Sequence, residues 1–208
     1  MHTLHRLVRP AACGLILLLF VVSAEAHAVY QGAGDFYGGM LHPLTSPEHV
    51  LPMLALGVLA GQNGLKRCEF VLWAFPAALA AGASIALSIP DLHGIFLFNI
   101  ASAVLLGSLV AAAFALPSWL ILVLAAVFGL THGYANGSVI MGQIRPGNFI
   151  AGLVFASFIL MAYTVAATSF LLRLRPTWIA VAVRVAGSWT AAIGLLVLSF
   201  SQRALLLS

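Results

Sequence analysis

Charge is what this chain has least of. Asp, Glu, Lys and Arg make up only 7% of its 208 residues, which is too little to keep the surface of a soluble domain in water. The nine basic residues are scattered. No polybasic run and no basic patch interleaved with aromatics exists, which argues against nucleic acid as a partner. Cysteine is almost as scarce. Cys13 and Cys68 can make neither a disulfide framework nor a Cys-x-x-Cys site. The phosphate-cradling pattern G-x-x-x-x-G-K-[ST] is missing, and so are G-x-S-x-G and H-E-x-x-H. With so few acids to act as bases, an enzyme is not expected.

What remains is apolar. The chain is 62% hydrophobic and its mean hydropathy is +1.10. Six apolar segments run over 47–61, 70–89, 94–115, 119–142, 149–171 and 178–200. Segments near 20 residues predict helices crossing a bilayer rather than barrel strands. The breaks are "GQNGLKRCE", "SIPDLHG", "ALPS", "QIRPGN" and "RLRPT", short and marked as turns by Gly, Pro and Asn. The first segment is short for a span and must borrow length from 39–46 or lie partly within the protein. Trp73, Trp119, Trp178 and Trp189 fall mainly near segment ends, where interfacial anchors sit. The expected fold is all-α: a polytopic membrane protein with a bundle of six transmembrane helices after a signal peptide.

That signal is read over 1–26. His5, Arg6 and Arg9 precede an apolar stretch from Ala11 to Val22, and Ala24-Glu25-Ala26 supplies a cleavage pattern. The six-helix domain then occupies 27–208, with a periplasmic N-terminus. A retained anchor would orient the rest in the same way. Lys66, Arg67, Arg173 and Arg175 then fall on the cytoplasmic side, against Arg145 and Arg203 outside, as the positive-inside rule favours. Cys68 is cytoplasmic on this map. Arg184 lies inside the last segment, where it can snorkel to the surface or pair with a carbonyl.

The polar residues then gather. "HPLTSPEH" puts His42, Glu48 and His49 at the outer end of the first helix. Asp91 and His93 stand in an outer loop, and His132 and Asn136 in "THGYANG" of the fourth helix. Imidazole with carboxylate suits divalent Zn, Ni, Cu or Fe. On one straight helix His42 and His49 would share a face but lie about 10 Å apart along the axis. Pro43 and Pro47 disfavour helix just before themselves, so a bent segment is expected to return His42 toward His49. A plainer reading stays open: Ser46-Pro47-Glu48 is also a good helix start, with Glu48 serving the helix dipole. His132 and Asn136 are expected to share a face with Gly129, Gly133 and Gly137, a small-residue stripe that also serves packing. An ionisable group at that depth is a functional candidate.

These stretches resemble the HupE/UreJ family, membrane accessory proteins of hydrogenase and urease systems. "HPLTSPEHVLPMLALGVLAGQ" is similar to the family's first-helix signature: His-Pro, an acid and His six and seven residues on, then a run ending in Gln. "THGYANG" is similar to its HGxAHG motif. The chain departs from the pattern with Glu48 for Asp, Pro52 for Ala and Asn136 for the second His. His93 stands near the place of a family acid. The resemblance implies an inner-membrane permease for a divalent transition metal, nickel or else cobalt, with no organic cofactor. It implies metal ligation by His42, Glu48, His49 and His132, with Asn136 and His93 as altered positions, and service to hydrogenase or urease maturation proteins. The alternative is a membrane-bound metal-binding assembly factor that does not transport.

Overall fold

Lipid offers no partner to a backbone N–H or C=O, so the apolar segments satisfy theirs internally, as helix. The computed structural model describes residues 34–89, 92–174 and 176–206, and among these there is helix and no strand. The expected signal at 1–26 lies outside them, as do His27 and Asp91. In chain order the helices are α1 (Asp35–Thr45), α2 (Pro47–Asn63), the four-residue α3 (Leu65–Cys68), α4 (Val71–Ala86), α5 (Ile95–Ala112), α6 (Ser118–Gly137), α7 (Pro146–Arg173) and α8 (Thr177–Leu206). Each apolar segment has its helix. Four of them, α5 to α8, are long and apolar enough to cross a membrane. The other two, α2 and α4, have 17 and 16 residues and fall short of the usual span of about 20.

The first segment does borrow length, in a form the sequence did not announce. The stretch before it is a helix of its own, α1, and Pro43 lies inside it rather than breaking it. The break falls one turn later. Ser46 is extended, with φ −104° and ψ 107°, and Pro47 opens α2. Ser46 holds the N-cap position, but its hydroxyl caps nothing; its carbonyl instead accepts from the amides of His49 and Val50 at 2.9 and 3.0 Å.

Glycine sets the packing. A Cβ on Gly39 of α1 would stand 2.7 Å from the carbonyl carbon of Phe149, and one on Gly152 of α7 would stand 2.8 Å from that of Phe36. Only bare backbone fits there, so α1 lies directly on the start of α7. Two more pairs are joined in the same way. Gly133 and Gly137 of α6 press on the backbone of Leu79 and Ala83 in α4, and Gly107 of α5 faces Gly187 and Ala191 of α8. Between these pairs runs α2, whose Gly57 and Gly61 meet Thr164 and Thr168 of α7.

Polar side chains pin the loops. The Tyr134 hydroxyl donates to the Ile89 carbonyl (2.6 Å) and accepts from the Leu92 amide (2.9 Å), which holds the α4–α5 connection. At one end of the bundle Asp35 Oδ2 accepts from the Arg145 amide; at the other, Asn63 Oδ1 accepts from the Leu116 amide. Arg184 Nε donates to the Ala111 carbonyl at 2.8 Å, so the cation meets the C-terminal end of α5, where the helix dipole favours it. All four tryptophans noted above are largely exposed on the outer surface, at α4, α6 and α8.

Candidate metal site

Three imidazoles from three helices meet inside the bundle. His42 on α1 and His49 on α2 flank the bend at Ser46, with ring centroids 5.8 Å apart. The bend does return His42 toward His49, although from a helix. His132 on α6 also lies beside His49, with centroids 5.3 Å apart and rings nearly perpendicular. Their Nδ1 atoms are 3.0 Å apart and share a hydrogen bond. His49 and His132 are buried, His132 completely. His42 is half-buried and its ring also lies beside Phe149.

The glycine stripe of α6 corrects one expectation. Gly129, Gly133 and Gly137 face α4, whereas His132 faces α2 and α5. Successive helix positions are about 100° apart, so a histidine next to a glycine looks elsewhere. The stripe is the packing surface, and His132 belongs to a different one. Asn136 stays on the histidine's side. It is fully buried, and its amide nitrogen donates to the His132 carbonyl at 2.7 Å, while its Oδ1 is buried without a partner. Gln62 Oε1 and Asn99 Oδ1 are likewise buried without a partner among the described residues.

Two other expected residues do not join the rings. Glu48 is half-buried and lines a groove between α2, α5 and α8, with Leu51, Phe96, Ile100 and Ile193. His93 is exposed in the turn before α5, and no hydrogen bond or ring contact joins it to the three histidines among the described residues. Among those residues no group of three or more His, Cys, Asp or Glu is arranged as a ready-made metal cage. The rings form a row, and His49 has already committed its Nδ1 to His132.

Sequence reasoning passed over Ser102 and Asn99, both on α5 and both buried. Ser102 Oγ lies 3.0 Å from His132 Nε2 and donates to the Asn99 carbonyl at 2.5 Å. Asn99 Nδ2 donates to the Thr131 carbonyl at 3.2 Å, which ties α5 to α6 beside the histidine. The one available signal was two polar residues three apart in the otherwise apolar "IFLFNIASAVLLG".

The profile of the HupE / UreJ protein family matches residues 15–197. This chain belongs to that family. It is also similar to Protein HupE of Rhizobium leguminosarum bv. viciae, 28% identical over 142 residues that cover 66% of this chain and 71% of that protein. No solved structure matches it. HupE / UreJ proteins are accessory to hydrogenase and urease systems rather than enzymes, and this chain is accordingly a multi-pass membrane protein of an accessory family. The two stretches that resemble the family, "HPLTSPEH" and "THGYANG", are the ones that bring His42, His49 and His132 together.

Proposed function

We propose that this protein is an inner-membrane permease for a divalent transition metal, nickel first and cobalt second, that supplies hydrogenase or urease maturation. The row of His42, His49 and His132 across three helices carries the reading. Imidazole binds borderline divalent metals of this kind and has little use for magnesium or calcium. An apolar bundle that buries two histidines in contact has spent polar groups where packing alone asks for none. His42 and His49 form the outer station, on the periplasmic side, with Glu48 supplying charge near the mouth. His132 and Asn136 lie further along the route. An incomplete ligand set suits conduction, because an ion that is caged cannot leave.

Six passes fit this role. The α4 helix lengthens through the turn at 87–89, and the α1–α2 pair together makes up the span that α2 alone lacks. With residues 1–26 exported as a signal, the histidine row opens outward.

Accumulation of nickel by cells expressing the protein tests the reading. His49→Ala should reduce uptake to the background of cells without the protein, at an unchanged level of inserted protein. Wild-type uptake of nickel, cobalt and zinc in that variant would refute it. Metal binding by the purified protein without any accumulation in cells would instead indicate an assembly factor.

A further inference from the structure

Hydrogen placement in the buried row follows from one short contact. The Ser102 hydroxyl oxygen and the Asn99 carbonyl oxygen are 2.5 Å apart. Two oxygens approach that closely only with a proton between them, and the carbonyl has none to give. The serine proton therefore lies on Asn99, and toward His132 the serine oxygen can only accept. His132 Nε2, at 3.0 Å, must carry the N–H that it accepts. A neutral imidazole has one N–H, so His132 Nδ1 is a bare lone pair. His49 Nδ1, 3.0 Å away, is then the donor, and the His49 proton is used up. What remains on His49 is a bare Nε2.

We infer that Ser102 is a positioning residue that acts through His132 to fix the tautomer of His49, so that His49 Nε2 is the nitrogen offered to the metal and His132 orients it. The relay runs from the Asn99 carbonyl through Ser102 and His132 to His49, and every donor in it has one acceptor. It is the arrangement metal-binding histidines need: one nitrogen donates its proton to a buried partner, which sets the ring plane and leaves the other nitrogen basic. His132 has both of its nitrogens engaged, which makes it a support rather than a ligand in this state. His42 is the other imidazole beside His49, with its ring 5.8 Å from that of His49. The identity of the ligand atom rests on the permease reading; the tautomer does not.

The experiment has two arms on protein in lipid nanodiscs and in cells. Nitrogen-15 NMR of histidine-labelled protein reads the tautomers directly: His49 should carry its proton on Nδ1 and His132 on Nε2, and Ser102→Ala should mix both populations. In cells, Ser102→Ala should raise the KM for nickel uptake about 10–100-fold, the usual loss for a support of a metal-binding histidine, with the maximal rate retained. A His49 proton on Nε2 in the unaltered protein would overturn the relay, and so would a KM unmoved by Ser102→Ala while His49→Ala still abolishes uptake. Absence of uptake by the unaltered protein would count against the permease alone, because the NMR arm still decides the tautomer.

Discussion

Gly133→Ala should disable the protein without touching a polar atom. A Cβ at this position would stand 2.7 Å from both the Cα and the carbonyl carbon of Leu79, and nearer still to the carbonyl oxygen. Ordinary contact begins at 3.4 Å and the carbonyl oxygen would lie at 2.1 Å, so α6 and α4 must part by about 1.3 Å there. These are backbone atoms, and no rotamer change can relieve them. Overpacking of this kind costs about 1–3 kcal/mol. The adjacent residue is His132, held at 3.0 Å to His49 and 3.0 Å to Ser102. Bonds of that length do not survive a displacement of that size in either direction. Thermal unfolding in detergent should show the lost stability, and nickel uptake per inserted molecule should fall several-fold. Gly147→Ala is the control, because a Cβ there meets nothing within 4 Å. If Gly133→Ala melts and transports like the unaltered protein, the helices are not locked and the packing account is wrong.

Asn136→His would place a second imidazole one turn from His132. It should tighten nickel binding and alter metal selectivity or slow release, and a correctly inserted variant with unaltered affinity, selectivity and rate would remove Asn136 from the route. Topology needs a reporter other than Cys68, which is completely buried and would escape a thiol reagent from either side. In a Cys68→Ala background, Lys66→Cys should resist a membrane-impermeant reagent applied to intact cells, while Met141→Cys, at a site 73% exposed, should react. The reverse pattern would invert the proposed orientation.

Much of this was legible in the sequence. The six apolar segments became helices, the short first one leaned on the residues before it, and Pro47 marked the bend that sets His42 beside His49. Helix α1 was not legible, because "DFYGGMLHPLT" carries two glycines and a proline, all poor helix formers. Its stability comes from α7, which the glycines allow to come within backbone contact. The facing of α6 was misjudged because neighbouring residues were assigned one surface when they serve two. Ser102 was hidden for a different reason. Ser84, Ser108 and Ser188 also sit in apolar helices, and each bonds a carbonyl four residues back, as membrane serines commonly do. Ser102 bonds three residues back instead of four, to Asn99, but its part in the site shows only when His132 arrives from another helix.

The three glycine-joined pairs give the buried row a mechanical meaning. His42 rides on the pair α1–α7, His132 on α4–α6 and Ser102 on α5–α8, while His49 stands on the central α2. Within each pair backbone lies against backbone, which leaves no room for a side chain between the two helices. The histidines and Ser102 therefore tie three close-packed pairs to the central α2 through contacts that converge on His49 and His132.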